Sequence, residues 1–271
     1  MLSKVPSFSI ITINYNNSIG LDKTLFSISS QIYSYELIVI DGGSTDNSKN
    51  VANFYKKHIK TFISEKDNGI YDAMNKGLKY CNNDFLIFLN SGDTFMNSES
   101  LYNASLNIDR FNSGYFFNAI IEGSNIIPFK SPHNYNYINY KNSLFFIPNH
   151  QAILFPKVYY KNNSYLINLH ICSDVDYIYR LSNNHGINYI NLDFVKFDLG
   201  GISSNFKSLT KTLLQIKESI YINKIYFKNK SFIYFYISSK FITKYILHNI
   251  FGHYYFVLIK KSNEYRQRLF N

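Results

Sequence analysis

Short apolar runs alternate with polar turns along the first third of the chain, and segments of helical periodicity separate them. The runs are rich in Ile, Val and Phe and predict β-strands; they lie at residues 8–14, 36–41, 61–64 and 85–89. Between the first two runs, Leu21, Leu25 and Ile28 recur at the spacing of one helix face. Strands that alternate with helices favour a parallel sheet with right-handed crossovers. The pattern therefore predicts an α/β fold.

Two of these strands lead into a carboxylate. Asp41 closes the run at 36–41 before a glycine pair, and Asp93 follows the run at 85–89 in a polar turn. Ligands of open α/β sheets bind at the carboxyl ends of the strands, and carboxylate oxygens suit hard cations such as Mg²⁺ or Mn²⁺. The two aspartates can therefore hold a nucleotide and a divalent cation between them. A helix-capping turn without any ligand is the alternative for the Asp41 segment.

Phosphate-binding glycine motifs are absent from the first two turns. Neither the turn at 15–18 nor the one at 42–46 contains Gly-x-Gly-x-x-Gly or a P-loop lysine. This absence argues against a nicotinamide-dinucleotide fold and against a P-loop enzyme.

Five segments resemble, in the same order, the motifs of family-2 glycosyltransferases of the GT-A fold. They are residues 12–16, 40–46, 67–77, 88–93 and 173–181, and the similarity covers roughly residues 6–205. The likeness is to the branch common in bacterial surface-polysaccharide clusters, of the O-antigen, capsule and colanic-acid type. It implies a mixed, mainly parallel sheet flanked by helices.

The resemblance also implies a role for each matching residue around the donor. Thr12 and Tyr15 would line the nucleotide pocket, and Asp41 would be the carboxylate that binds the base. Asp67 and Asp72 would border the sugar nucleotide.

A metal site is implied by the fourth segment. Asp93 matches the last acid of the family's Asp-x-Asp motif, which holds Mn²⁺ or Mg²⁺ on the diphosphate. Asn90, which would also contact the sugar nucleotide, stands where the first acid usually lies. This departure predicts weaker metal binding, or a ligand supplied from elsewhere.

The catalytic base is implied by the fifth segment, where Asp174 matches the family's base. A carboxylate that accepts the proton of the acceptor hydroxyl, opposite the leaving group, gives in-line displacement and inversion. Asp176 is the rival base, but in a helix it would lie about 200° around the axis from Asp174. The structural alternative is that Asp174 only caps the helix at 175–181.

Two further segments carry possible contacts to donor or acceptor. His150 and Gln151 precede an apolar strand-like run, and related enzymes carry His-Gln at this place. A lone histidine is more often a hydrogen-bonded structural residue, which is the alternative here. Gly200 and Gly201 resemble a loop that closes over the donor, although a plain turn would need no ligand.

The C-terminal quarter differs in composition from the rest. The chain carries 28 Lys and Arg against 18 Asp and Glu, a net charge of +10, and much of the excess follows residue 206. Short aromatic and apolar patches alternate there with lysines, which is typical of helices on an anionic bilayer. We therefore expect a GT-A domain at 1–205 and a helical, basic-aromatic region at 206–271. A solvated appendage that packs on the catalytic domain is the alternative, and nucleic-acid binding is less favoured.

Sequence features also bear on the compartment. Cys81 and Cys172 lie far apart, without zinc or redox spacing, which favours a reducing environment. No signal-peptide or transmembrane pattern is present. We expect a cytoplasmic protein that lies peripherally on the inner face of the cytoplasmic membrane.

These observations predict a metal-dependent, inverting glycosyltransferase. It would move a sugar from a nucleoside-diphosphate sugar, with UDP favoured by the resemblance, to a hydroxyl of a polyprenyl-diphosphate-linked glycan. A non-catalytic membrane- or nucleic-acid-binding module on the same fold is one alternative, but it would not need Asp93 and Asp174. A sugar nucleotidyltransferase is another, but the turn at 14–18 lacks the glycine and lysine that a triphosphate would require.

Overall fold

A computed structural model describes residues 5–122, 128–131, 148–198, 208–226 and 231–251. The chain divides into two compact units, which are described separately below. One comprises Met1–Ile121 with Lys130–Phe197, and the other Glu122–Phe129 with Asp198–Asn271. The sequence-based boundary near residue 205 stays a prediction.

The first half of the larger unit alternates strands and helices, as the apolar pattern predicts. The elements are β1 (Phe8–Asn14), α1 (Ser18–Ser29), β2 (Tyr35–Asp41), α2 (Ser48–Phe54), β3 (Thr61–Ser64), α3 (Ile70–Leu78) and β4 (Phe85–Phe88). Their strands lie in the order β3-β2-β1-β4, and every neighbouring pair is parallel. The carboxyl ends of these strands therefore meet at one edge of the sheet.

The second half adds shorter helices and antiparallel strands. The elements are β5 (Thr94–Phe95), α4 (Ser100–Ser105), β6 (Gly114–Glu122), β7 (Phe129–Ser131), a 3₁₀ turn (His150–Ala152), β8 (Ile153–Pro156), α5 (Lys157–Tyr160), α6 (Ser173–His185) and β9 (Ile187–Asp198). In the described part of the chain, one nine-stranded sheet continues from β4 through β8, β6 and β9 to β5. The β4–β8, β8–β6 and β9–β5 pairs are antiparallel. This mixed sheet flanked by helices agrees with the predicted fold class.

Strand register brings polar residues together at the carboxyl edge. Asn14 lies opposite Asp41, and Asp41 lies opposite Ser64 on the next strand. All other residues of β2 after the first are buried as well, because helices cover both faces of a parallel sheet. The edge therefore collects the few polar side chains that the apolar strands carry.

Close packing of α3 on the sheet depends on Gly77. A Cβ on Gly77 would lie 2.8 Å from Cγ2 of Ile11 on β1. Because real Cβ atoms do not approach so closely, only glycine lets α3 lie this near the strand. The same helix carries Tyr71 and Asp72 in its first turn, so this packing fixes their position.

The smaller unit contains two long helices that pack against each other, α7 (Leu209–Tyr226) and α8 (Ser231–Phe251). Neither of these, nor any other helix in the described ranges, is both long and apolar enough to cross a membrane.

Candidate active site

Asp41 is fully buried and accepts four hydrogen bonds. Its Oδ1 accepts from Asn14 Nδ2 at 2.9 Å and from Ser44 Oγ at 2.5 Å. Its Oδ2 accepts from the Ser44 backbone amide at 2.9 Å and from Ser64 Oγ at 2.6 Å. Burial acts to raise the pKa of Asp41, but these hydrogen bonds outweigh it and hold the pKa below its usual value. Four donors match the acceptor capacity of a carboxylate, so Asp41 locks the turn after β2.

The turns that follow β1 and β2 are joined to each other. The Asn16 backbone amide donates to Ser44 Oγ at 2.7 Å, and Asn16 Oδ1 accepts from the Thr45 amide at 2.8 Å. Asn16 adopts a left-handed backbone conformation with φ of 46°, which asparagine tolerates well. Asp46 accepts from the amides of Ser18 and Ser48 and so caps the starts of both α1 and α2.

Two predicted nucleotide-pocket residues converge on Gly42. A Cβ on Gly42 would lie 2.5 Å from Oδ2 of Asp67 and 3.2 Å from Cδ2 of Tyr15. Tyr15 is 66% exposed, so its ring is available for stacking. Thr12 is buried, and its hydroxyl oxygen has no hydrogen-bond partner within the described ranges. Tyr15, Gly42 and Asp67 thus meet at the carboxyl ends of β1 and β2.

The loop before α3 is held by its own acids. Asp67 Oδ1 accepts from the Gly69 amide at 3.0 Å, and Asp72 Oδ2 accepts from the Asn68 amide at 2.9 Å. Gly69, with φ of 113°, starts the helix in a conformation that other residues rarely adopt. Lys76 lies 3.8 Å from Asp72 on the next turn. Asp67 and Asp72 therefore shape this loop beside the Gly42 turn.

Asp93 is buried in a turn that α1 anchors. Thr24 Oγ1 donates to the Asp93 carbonyl oxygen at 2.7 Å and accepts from the Gly92 amide at 2.9 Å. Asp93 Oδ2 accepts from Gln151 Nε2 at 3.1 Å. This contact connects the end of β4 to the 3₁₀ turn before β8.

The surroundings of Asp93 fit a hard divalent cation. Gln151 Oε1 is buried beside it and has no hydrogen-bond partner in the described part of the chain. Carboxylate and amide oxygens are the ligand types that Mg²⁺ and Mn²⁺ prefer. No cluster of three or more His, Cys, Asp or Glu side chains occurs among the described residues. Asp93 therefore does not belong to a cluster of three such ligands in the described part of the chain.

Asp174 lies in the first turn of α6 and meets α3. Tyr71 Oη lies 2.7 Å from the Ile171 carbonyl oxygen and 3.1 Å from Asp174 Oδ1, and its one hydrogen is shared between these two acceptors. Burial, together with the nearby Asp174 charge, raises the pKa of Tyr71 far above its ordinary value, so the phenol remains a donor. The Asp174 side chain is 23% exposed and can therefore be reached by a substrate.

His150 lies between Asp174 and Asn90. Its Nδ1 is 3.7 Å from Asp174 Oδ2, and its Nε2 is 3.4 Å from Asn90 Nδ2. Burial lowers the pKa of His150, although the Asp174 charge opposes this effect. Because Gln151 contacts Asp93, one short turn approaches both the predicted metal ligand and the predicted base.

Asp176 has different partners from Asp174. Its Oδ2 lies 2.9 Å from both Nε and Nη2 of Arg180, and the side chain is buried. Arg180 also donates to Asn163 and Ser164 in the preceding loop. The two aspartates therefore face different surroundings, as the helical spacing predicts.

A stack of three tyrosines supports this part of the molecule. The Tyr165 ring lies between those of Tyr71 and Tyr177, with centroid distances of 5.5 Å and 4.1 Å and interplanar angles near 15°. Asn75 on α3 binds both the backbone amide and the carbonyl oxygen of Tyr165. The stack fixes α3, and hence Tyr71, against α6.

Gly200 and Gly201 lie outside the described residues, so the predicted closing loop stays a prediction. The sequence analysis gave no role to Tyr71, Asn14 or Ser64. Tyr71 belongs to segment 67–77, which resembles a family motif. Asn14 and Ser64 are the last residues of two predicted strands, and ligands are expected at the carboxyl ends of such strands. The sequence therefore indicates where these three residues lie, but not which side chains they bind.

Residues 9–182 match the family model described as Glycosyl transferase family 2. The chain belongs to this family. The matched range contains every predicted site residue except Gly200 and Gly201.

Two curated relatives match a shorter stretch of this chain. An uncharacterized glycosyltransferase of Mycobacterium tuberculosis is 40% identical over 96 residues, which is 35% of this chain and 37% of that protein. A PGL/p-HBAD biosynthesis glycosyltransferase of Mycobacterium bovis is 34% identical over 100 residues, 35% of this chain and 39% of that protein. The alignments thus span well under half of these relatives' length. Because these relatives are mycobacterial, the surface-polysaccharide branch stays a prediction.

Solved structures show the same fold at low sequence identity. Staphylococcus aureus TarS has a TM-score of 0.63 at 17% identity, covering 91% of this chain and 44% of TarS. TarS 1–349 in complex with UDP-GlcNAc has a TM-score of 0.60 at 16% identity, covering 90% of this chain and 73% of that one. Mannosyltransferase PcManGT from Pyrobaculum calidifontis, in complex with GDP-Man and Mn²⁺, has a TM-score of 0.59 at 11% identity. This match covers 97% of this chain and 81% of the PcManGT chain. These neighbours confirm the predicted fold.

Proposed function

We propose that this glycosyltransferase transfers a sugar, with inversion, from a nucleoside-diphosphate sugar to a hydroxyl of a lipid-linked glycan. The observation that carries the proposal is the connection between two acids from separate elements. Gln151 binds Asp93 and the neighbouring His150 faces Asp174, so one turn joins a candidate metal ligand to a candidate base. Glycosyl transfer needs such a pair, because charge develops on the leaving diphosphate while the acceptor loses a proton.

Asp174 acts as the base in this proposal. Tyr71 donates to its Oδ1, and the backbone amide of Val175 donates to the same oxygen at 2.9 Å. Its Oδ2 is therefore the oxygen that can take the acceptor proton. Asp176 is already engaged with Arg180 and does not compete for this role.

Asp93 would hold a divalent cation, Mn²⁺ or Mg²⁺, for which its surroundings provide oxygen atoms. When bound, such a cation offsets the negative charge that develops on the leaving diphosphate. Gln151 and the α1 contact through Thr24 keep the carboxylate in place without the cation.

The nucleotide would bind at the carboxyl ends of β1 and β2, where Tyr15, Gly42 and Asp67 converge. The glycine leaves room for the side chains of Asp67 and Tyr15 to approach its backbone, and the exposed Tyr15 ring can stack on a base. UDP is the favoured nucleotide, since the TarS complexes contain UDP or UDP-GlcNAc, whereas PcManGT binds GDP-Man. Because Asp41 is saturated by internal donors, we propose that it orients the turn that a base would contact.

The acceptor side of the proposal rests on the charge of the C-terminal region. Residues 206–271 hold 12 of the 28 Lys and Arg and 2 of the 18 Asp and Glu. The first 205 residues therefore carry 16 of each and have no net formal charge. The whole excess of +10 lies on this segment, which would favour an anionic membrane surface.

Both helices of this segment carry a row of exposed apolar side chains. Within each row, neighbouring residues are four or eight positions apart in sequence. They are, on α7, Leu209, Leu213, Tyr221 and Ile225 and, on α8, Ile242, Ile246 and Ile250. Nucleic acid would not require exposed isoleucines, whereas a bilayer interface accepts both apolar side chains and lysine stems. We propose that the protein lies on the cytoplasmic face of the membrane and that its acceptor is a polyprenyl-diphosphate-linked glycan of a surface polysaccharide.

The decisive experiment is a screen of UDP-, GDP- and dTDP-sugars with Mn²⁺, in which slow donor hydrolysis needs no acceptor. We expect one UDP-sugar to be hydrolysed by the wild type and not by Asp93→Asn. A parallel measurement of the product anomer by NMR, made before mutarotation, should show inversion. Binding of no nucleotide sugar at millimolar concentration would overturn the proposal, and a retained anomer would overturn the inverting mechanism.

A further inference from the structure

Asn90 occupies the place where the resembling family usually has an acid, and its side chain lies against His150. The amide Nδ2 is 3.4 Å from His150 Nε2. Its Oδ1 is buried and has no hydrogen-bond partner within the described ranges. Asn90 therefore contacts His150 through its NH₂ group, which an aspartate at this position would lack.

A neutral imidazole carries a single N–H, so its neighbours decide which nitrogen holds the hydrogen. An amide nitrogen can only donate. Because Asn90 Nδ2 faces Nε2, that ring nitrogen must accept, and the hydrogen lies on Nδ1. Nδ1 is the nitrogen that faces Asp174 Oδ2 at 3.7 Å. Burial lowers the pKa of His150, which favours the neutral ring, although the Asp174 charge opposes this shift.

We propose that Asn90 fixes His150 as the Nδ1–H tautomer and that His150 thereby acts as a positioning residue for Asp174. The inference rests on the proposed role of Asp174 as the base. Tyr71 and the Val175 amide contact Oδ1, and His150 Nδ1 lies 3.7 Å from Oδ2. A donor on each oxygen fixes the plane of the carboxylate, while Oδ2 keeps a second lone pair for the acceptor proton.

The distance of 3.7 Å exceeds a hydrogen bond, which for N–H···O spans about 2.7–3.2 Å. Catalytic hydrogen bonds often shorten only when the substrate is bound. A movement of less than about 1 Å would close this one, and it needs no change of tautomer. The amide at position 90 thus prepares the imidazole before the acceptor arrives.

An acid at position 90 would have the opposite effect. Both oxygens of an ionised carboxylate accept, so Asn90→Asp would draw a hydrogen onto Nε2. The imidazole would then present a bare Nδ1 to Asp174, or it would become an imidazolium with a hydrogen on both nitrogens. In this proposal, an amide replaces the usual acid at position 90 because it holds His150 in the Nδ1–H tautomer.

The first test reads the tautomer directly by ¹⁵N NMR of the full-length protein with labelled histidine. His150→Gln identifies the His150 signals among those of the seven histidines by their loss. We expect wild-type His150 to carry its hydrogen on Nδ1, and Asn90→Asp to carry one on Nε2. A wild-type Nε2–H tautomer, or an unchanged tautomer in Asn90→Asp, would overturn the proposal.

The second test uses two amides that mimic different ring nitrogens. The side-chain nitrogen of His150→Asn can occupy the place of Nδ1 and donate to Asp174, whereas His150→Gln reaches the place of Nε2. We expect His150→Asn to keep kcat within about tenfold of wild type and His150→Gln to lose about a hundredfold, with KM for the donor unchanged in both. Equal losses in the two variants, or a loss confined to KM, would contradict a positioning role.

Failure of the proposed function would be separate and visible. A protein that neither hydrolyses nor transfers any nucleotide sugar would remove Asp174 as a base, yet the NMR experiment would still decide the tautomer. Conversely, an active enzyme with the wrong tautomer would leave glycosyl transfer intact and remove the role of Asn90.

Discussion

Replacing Asp41 by asparagine should destabilise the protein, for a reason that the four hydrogen bonds make specific. Ser44 Oγ and Ser64 Oγ are hydroxyls that can rotate and either donate or accept. The Ser44 backbone amide and Asn14 Nδ2 can only donate, and they face opposite oxygens of Asp41. Either orientation of an asparagine amide therefore places its NH₂ against one obligatory donor.

The magnitude follows from that single conflict. A buried donor without an acceptor costs about 1–3 kcal/mol, and the loss of charge-assisted hydrogen bonds adds to it. Asn14 Oδ1 has no partner within the described ranges, so a flip of the Asn14 amide can relieve part of the conflict. We therefore expect Asp41→Asn to lower the free energy of unfolding by about 2 kcal/mol at pH 7.

The assay is urea unfolding followed by circular dichroism, with a second variant as the matched control. In Asn14→Asp combined with Asp41→Asn, the new amide can donate to a new carboxylate, so the double variant should recover at least about half of the loss. A single variant as stable as wild type within about 0.5 kcal/mol would refute the reasoning. So would a double variant whose loss is the sum of the two single losses.

The pH dependence has a definite sign. The folded-state pKa of Asp41 is lowered, so its contribution is fully present above the ordinary pKa of 3.8 and is lost as pH falls through the folded value. The difference between wild type and Asp41→Asn should therefore stay constant from pH 7 to about 5 and shrink below 3.8. A difference that grows on acidification would contradict the assignment of the lowered pKa.

Three further predictions follow from the two acids and the C-terminal helices. Asp93→Asn, or excess EDTA, should lower turnover at least about a hundredfold, and full activity in either case would remove Asp93 from the mechanism. Asp174→Asn should bind the donor normally in calorimetry yet lose most transfer, whereas Asp176→Asn should lose thermal stability through Arg180; the reverse pattern would exchange their roles. Liposome flotation should require anionic lipid, weaken at 1 M salt and fall in Ile246→Glu but not in the control Lys23→Glu, and equal flotation of both variants would leave the exposed stripes without a membrane role.

Local pattern predicted the elements whose apolar runs are continuous. The strand at 8–14 and the one at 61–64 coincide with β1 and β3, because each run is bounded by polar turn residues on both sides. The helix at 175–181 lies within α6, and its periodicity already separated Asp174 from Asp176. These features depend only on residues close in sequence.

Elements and contacts that depend on distant partners were not predictable. β5 is two residues long and exists because it pairs with β9, about a hundred residues away. The hydrogen bond from Tyr71 to Asp174 spans 103 positions. It depends on the packing of α3 on β1 at Gly77 and on the tyrosine stack that connects α3 with α6. Likewise, the saturation of Asp41 requires donors from three different parts of the sheet edge. The sequence indicated where the acids lie but not what surrounds each one.

The turn that carries His150 and Gln151 has a consequence for how the protein can change. Its two neighbouring side chains contact Asn90 and Asp93 on one side and approach Asp174 on the other. A backbone shift in this turn would therefore change the surroundings of both candidate acids, Asp93 and Asp174, at once. We expect divergence towards new donors or acceptors to accumulate in the surrounding loops, while position 150 accepts only replacements that keep a donor at the place of His150 Nδ1.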